Sequence, residues 1–246
     1  MKMAILGATK GMGRSLARAA AKRGDQVFLL GRNAEDLEKS AGDVAAHITG
    51  GAKVGWAKCD LGDKTTFESA LDAADQALGG MDTLVITAGL FGTQGALEED
   101  LDFAEQVLHA NFTGTIVLCE HARRRFLSRG GGNLCVLSSV AGDRGRKPVG
   151  IYGASKAGLS HYLEALDHKY RAEGLVTVNV KPGFIKTGMT EGLQPPPFAG
   201  EPDQVAQDIL KALDRGKPMI YTPKAWGLVM FVIRRLPRFV MRKIGF

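Results

Sequence analysis

Tyr152 and Lys156 lie four residues apart, a spacing that on a helix stacks two side chains one turn apart on the same face. An ammonium held beside a phenol lowers the phenol's pKa, so the pair is expected to make Tyr152 a proton donor usable near neutral pH. Ser138 and Ser139 end an apolar run, Asn133 to Leu137, with Ser139 thirteen residues before the tyrosine. Between the serines and the tyrosine runs a basic loop, Gly142 to Ile151, carrying Arg144, Arg146 and Lys147 and expected to border a substrate. Asn111 stands between two helical patterns, where asparagine costs propensity and so needs a capping or hydrogen-bonding role.

The elements that must position these residues alternate along the chain. Strand patterns cover Met3 to Leu6, Gln26 to Gly31, Lys53 to Lys58, Asp82 to Thr87, Asn133 to Leu137, Val176 to Val180 and Met219 to Thr222. Helical patterns run to about Arg23, then from Ala34 to His47, Lys64 to Leu78, Leu101 to His109, Thr113 to Ser128, Tyr152 to Arg171 and Pro202 to Arg215. Such alternation predicts an α/β chain built on a parallel sheet.

Gly7-Ala8-Thr9-Lys10-Gly11-Met12-Gly13 joins the first strand to the first helix. Glycines there allow a tight turn and let backbone N–H groups approach a pyrophosphate at the helix N-terminus. The second strand ends in Gly31-Arg32-Asn33, where a site selective for NAD would place an acid against the ribose 2′-hydroxyl. Arg32 instead offers a guanidinium suited to a 2′-phosphate, with Lys10 as a second cation, so NADPH is the expected cofactor. Asp60 closes the third strand, where its carboxylate can accept from an adenine amino group or cap a turn. Ligands in open α/β sheets bind beyond the carboxyl ends of the strands, where the glycine turn, Arg32, Asp60, Gly89, Ser139 and Pro182-Gly183 all fall. The proline-rich stretch Gly188 to Pro202 has the length of a lid or substrate loop.

Taken in order, these motifs resemble the short-chain dehydrogenase/reductase family in its compact branch of roughly 250 residues. Gly7, Gly11 and Gly13 fit its GxxxGxG turn, and Asp60-Leu61, Ala88-Gly89, Asn111, Ser139, Tyr152, Lys156 and Pro182-Gly183 fit its further landmarks. The resemblance implies a Rossmann-type doubly wound, seven-stranded, mostly parallel sheet with helices on both faces. It also implies reversible, NADPH-dependent reduction of a carbonyl to a secondary alcohol by a catalytic tetrad. Tyr152 would protonate the carbonyl oxygen, Ser139 would hold that oxygen, Lys156 would grip the nicotinamide ribose and hold the tyrosine pKa down, and Asn111 would position a water. Expected cofactor contacts are Gly7, Thr9, Lys10, Gly11, Met12, Gly13, Arg32, Asp60, Leu61, Ala88, Gly89, Tyr152, Lys156, Pro182, Gly183, Ile185 and Thr187. The chain departs from the family at Leu6, where threonine is usual, and at Ile86-Thr87, where two asparagines are usual. The alternative is a protein of the same fold that binds the cofactor and regulates or scaffolds without turnover.

The net charge of +6 resides in the tail: Lys224 to Phe246 holds six basic residues and no acid, leaving 26 basic against 26 acidic residues elsewhere. Without a basic stripe across the body, nucleic acid is not an expected partner. Residues 1–223 read as one domain and 224–246 as a basic amphipathic extension. Its apolar run, Ala225 to Ile233, is well short of the about 20 residues that span a bilayer. Leu228, Val232, Leu236, Phe239 and Val240 can form an apolar face beside Arg234, Arg238 and Arg242, interrupted at Pro237. That face suits peripheral contact with anionic membrane; a helix packed on its own fold or on a neighbouring subunit fits as well. A similar tail on some family members that handle lipid-linked or acyl substrates points to an apolar substrate. Cys59, Cys119 and Cys135 match no metal-ligand spacing and fit buried reduced thiols. A strand that begins at Met3 leaves no room for a signal peptide, so a cytoplasmic protein is expected; a homo-oligomer, dimer or tetramer, is a separate expectation. Gly153-Ala154-Ser155-Lys156-Ala157 lacks the final glycine of a hydrolase nucleophile elbow.

Overall fold

Met3-Ala4-Ile5-Leu6 has no polar alternation because both faces of its strand are covered. A computed structural model describes residues 1–48 and 54–245. Its elements are β1 (Lys2–Leu6), α1 (Gly11–Arg23), β2 (Gln26–Gly31), α2 (Ala34–Ala45), β3 (Gly55–Lys58), α3 (Phe67–Leu78), β4 (Thr83–Ile86), α4 (Gln94–Glu99) and α5 (Leu101–Leu108). They continue with α6 (Thr115–Leu127), β5 (Gly132–Leu137), α7 (Gly150–Tyr170), β6 (Leu175–Pro182), α8 (Pro202–Asp214), β7 (Met219–Thr222), α9 (Ala225–Ile233) and α10 (Arg238–Lys243). Among the described residues the seven strands form one sheet in the order β3-β2-β1-β4-β5-β6-β7, every neighbouring pair parallel.

Successive residues of a strand face opposite sides of the sheet. Met3 and Ile5 therefore join the core under α1, α2 and α8, with Leu16, Val44 and Ile209. Ala4 and Leu6 join the core under α3, α6 and α7, with Phe67, Phe126 and Leu163. The chain order reverses between the adjacent strands β1 and β4, which opens a crevice at their carboxyl ends. All three cysteines are free and buried; burial pushes the Cys59 thiol up to about 12 and the other two upward as well.

Several boundaries differ from the sequence reading. The third strand begins at Gly55, and Lys53, expected to open it, lies outside the described residues. A short turn of 3₁₀ helix, Lys64–Thr66, precedes α3, with the Asp63 carboxylate accepting from the Thr65 N–H at 3.0 Å. The helix expected from Thr113 starts at Thr115, because His109–Gly114 is a π-helical turn. α4 has no counterpart in the sequence reading; Thr93 caps it.

α9 buries Trp226, Met230 and Ile233, spaced four and three residues apart, against Val140 and the half-buried Phe184 and Tyr221. The face expected to be apolar thus points outward at Leu228 and Val232. Pro237 restarts the tail as α10, which the basic loop holds: Arg144 Nη2 donates to the Leu236 carbonyl at 3.0 Å and Lys147 Nζ to the Arg242 carbonyl at 2.6 Å. Phe246 lies outside the described residues. No described helix is long and apolar enough to cross a membrane.

Candidate active site

Gly7 and Gly11 adopt φ values of 90° and 52°, which favour glycine. A Cβ at Gly13 would run into the Gly7 carbonyl and the Thr87 hydroxyl. That hydroxyl donates to the Leu6 carbonyl at 2.9 Å, so Thr87, one of the departures from the family pattern, ties the end of β4 to the end of β1. The turn borders a cleft of about 730 Å³ that brings together Gly7, Thr9, Lys10, Arg32, Asp60, Leu61, Ala88 and Gly89. Gly11 and Gly13 shape the turn without lining that cleft.

Lys10 and Arg32 are exposed at its rim. Lys10 lies 3.6 Å from Asp36, an exposed pair of little energetic weight. The Asp60 carboxylate accepts from the Gly62 N–H at 2.9 Å, so this residue shapes its turn as well as lining the cleft. Asp102, Glu105 and His109 also line it; nothing in their spacing had marked them.

A second cavity, of about 880 Å³, shares Thr87, Gly89, Leu90 and Met189 with the first. Ser139, Tyr152 and Lys156 all line it, as do Met12, Pro182, Gly183, Ile185 and Thr187. Tyr152 stands in the first turn of α7 because that helix begins at Gly150, two residues earlier than its pattern suggested. The Phe91 ring meets the Tyr152 ring edge-on, with centroids 5.1 Å apart.

Burial decides the electrostatics here. Lys156 is buried, its ammonium 5.8 Å from the centre of the Tyr152 ring and donating to the Leu137 carbonyl at 3.0 Å. Loss of water pushes it down from 10.5 to about 8. The same loss pushes Tyr152 up from 10.0 to about 12, with the Ser139 hydroxyl pulling the other way. The expectation of a phenol lowered by its lysine is therefore corrected: desolvation is the largest influence and raises the phenol, with only the Ser139 hydroxyl opposing it, and Tyr152 stays protonated at neutral pH.

The two serines divide by partner. Ser138 donates to Asn179 Oδ1 at 2.6 Å and is a structural tie between β5 and β6. Ser139 accepts from the Ala141 N–H at 3.1 Å, while its own proton reaches only to the Pro182 carbonyl at 3.5 Å, the outer limit of a hydrogen bond. Asn111 spends its amide mainly on one residue, accepting from the Leu90 N–H at 2.8 Å and donating to the Leu90 carbonyl at 2.7 Å, with a longer bond to the Ser155 hydroxyl at 3.4 Å. Its side chain thus holds the backbone where the two cavities meet.

Away from the tetrad the second cavity is walled mainly by apolar groups, among them Leu193, Pro196 and Phe198 from the expected lid loop. Trp226, Val229 and Ile233 of α9 complete the wall. The Trp226 indole N–H donates to the Phe198 carbonyl at 3.1 Å, and a Cβ at Gly183 would collide with the indole. Sequence reasoning missed these tail residues; their four-then-three spacing was the available signal.

A glycine turn at the sheet's reversal point opens onto a charged cleft, and a Ser-Tyr-Lys cluster lines the neighbouring cavity. The short chain dehydrogenase family model matches residues 2–197, and the chain belongs to the short-chain dehydrogenase/reductase family. It is 31% identical to an uncharacterized oxidoreductase of Mycobacterium tuberculosis H37Rv over 98% of this chain and 95% of that protein. It is 28% identical to carbonyl reductase family member 4 of Xenopus tropicalis over 86% and 90% of the two chains. Its fold superposes on a short-chain type dehydrogenase/reductase from Mycobacterium ulcerans with a TM-score of 0.81, at 22% identity, over 89% and 87% of the chains. A variant of actinorhodin polyketide ketoreductase with NADPH gives 0.79 at 23% identity, over 89% and 95%.

Proposed function

We propose that this oxidoreductase uses NADPH to reduce an apolar carbonyl compound to a secondary alcohol, reversibly. The reading is carried by Ser139, Tyr152 and Lys156 meeting in the larger cavity, with the Lys156 ammonium beside Gly89, a residue that both cavities share. The positive-φ glycine turn and the exposed Lys10 and Arg32 beside the cleft fit a dinucleotide bearing a 2′-phosphate. Bound there, NADPH supplies hydride to the carbonyl carbon.

The chain's own residues handle the proton. Tyr152 gives its phenolic proton to the carbonyl oxygen, and the loosely held Ser139 hydroxyl turns to donate to the same oxygen. Lys156 keeps two ammonium donors beyond the one on Leu137, enough for a ribose hydroxyl, and its charge stabilises the phenolate left behind. Asn111 acts through Leu90 as a positioning residue. The carbonyl reductase name of one relative supports the reaction class, and the apolar cavity wall supports the substrate's character.

Assaying NADPH oxidation against ketones, keto-sugars, quinones and oxoacyl thioesters tests the reading. Tyr152→Phe is expected to lower turnover by about 100-fold or more while NADPH still binds. Wild-type turnover in that variant would overturn the mechanism.

A further inference from the structure

Arg146 borders both the apolar cavity and a smaller hollow of about 480 Å³ on its outer side. The Arg146 Nε is buried and has no hydrogen-bond partner. An unpaired buried guanidinium nitrogen is costly unless something else meets it. The hollow beyond is lined by Arg144, Lys147, Arg238 and Arg242 together with Gly145 and Met241, so five cations converge with no acid among the lining residues. None of the five forms an ion pair with a carboxylate among the described residues.

Asp143, the acid next along the loop, is already engaged by Lys181 and by the Tyr221 hydroxyl, each at 2.6 Å. Burial holds Arg146 below its ordinary value, with Asp143 only partly opposing that. Arg144 and Lys147 donate to backbone carbonyls of the tail, which satisfies hydrogen bonds but cancels no charge. The cluster is also assembled from two distant segments, the loop after Ser139 and α10, so the tail's packing creates it.

We propose that this hollow is an anion subsite of the substrate cavity, and that the substrate is an apolar carbonyl compound carrying a phosphate-type group that Arg146 and the surrounding cations hold. The proposal rests on the carbonyl-reductase reading for its carbonyl, while the anion site stands on the cluster alone. A phosphate-type group suits it better than a single carboxylate because five converging positive charges exceed what one negative charge offsets, and a guanidinium binds phosphate oxygens in a matching plane.

Isothermal titration calorimetry on the full chain, with decyl phosphate, decanol and inorganic phosphate below micelle-forming concentrations, reads the subsite without turnover. Decyl phosphate is expected to bind at least about tenfold tighter than either of the others. Arg146→Gln should erase most of that preference, and Arg146→Lys and Arg238→Gln should each reduce it in part. Tyr152→Phe should leave it intact, so a failed catalytic reading and a failed anion site give different results. Equal binding of decyl phosphate and decanol, or of inorganic phosphate and decyl phosphate, would overturn the proposal. So would an unchanged preference in both Arg146→Gln and Arg238→Gln, even if those variants lost affinity for phosphatidylglycerol vesicles.

Discussion

Replacing Lys156 by methionine separates what this residue does for catalysis from what it costs the fold. Its ammonium is buried, and at pH 7 the fold holds it charged although its pKa has fallen from 10.5 to about 8. That difference is worth about 3 kcal/mol at neutral pH, paid by the native state. Methionine fills a similar volume without charge, and leaves the Leu137 carbonyl without its 3.0 Å partner, a loss of about 1 kcal/mol. Lys156→Met is therefore expected to stabilise the protein by about 2 kcal/mol at pH 7, roughly 4–8 °C in Tm for a chain this size.

The sign with pH follows from linkage. Between about 8 and 10.5 the unfolded chain binds the lysine proton more than the native one does, so wild-type stability from this group rises across that window. The advantage of Lys156→Met should thus shrink to near zero by about pH 10. Thermal denaturation of both proteins at pH 7 and pH 10 measures it, alongside NADPH oxidation, which should be lost in the variant. A methionine variant less stable than wild type at pH 7, or an advantage equal at both pH values, would refute the desolvation argument.

Other expectations address the remaining parts. Arg32→Asp should cut kcat/KM with NADPH by about 10- to 100-fold and raise it with NADH, because it replaces a phosphate-binding cation with an acceptor for the ribose hydroxyls; steady-state kinetics with both cofactors decides. Trp226→Ala should cost about 3 kcal/mol in denaturant unfolding and raise KM for apolar carbonyls more than it lowers kcat, since the indole both packs α9 and walls the cavity. Leu228, Phe231, Val232 and Phe239 are exposed on the tail. If they and the arginines contact an anionic membrane, replacing Leu228 and Phe231 by serine should abolish co-sedimentation with phosphatidylglycerol vesicles, and unchanged pelleting would exclude that contact.

The alternation of strands and helices was legible because strands covered on both faces need apolar runs, and β1, β2 and β4 show them. The glycine turn was legible for a comparable reason, since Gly7 and Gly11 occupy backbone conformations that side chains oppose. The spacing of Tyr152 and Lys156 placed them together correctly, yet the direction of the phenol's pKa came out reversed. Spacing reports which charges are near; it does not report how much water the surrounding elements remove. Asn111 announced that it needed a partner, and only the folded chain supplied Leu90 as that partner. The tail marks the boundary most clearly. Its composition showed that its apolar run is too short for a membrane-crossing helix and that it carries the excess charge. Which face of α9 would be buried depended on Val140 and Phe184, which come from distant parts of the chain, and on Tyr221 of the preceding strand. Only when those segments are brought together does Trp226 become a wall of the cavity, and only then do Arg238 and Arg242 meet Arg146, because a helix's own periodicity cannot name the surface it will pack against.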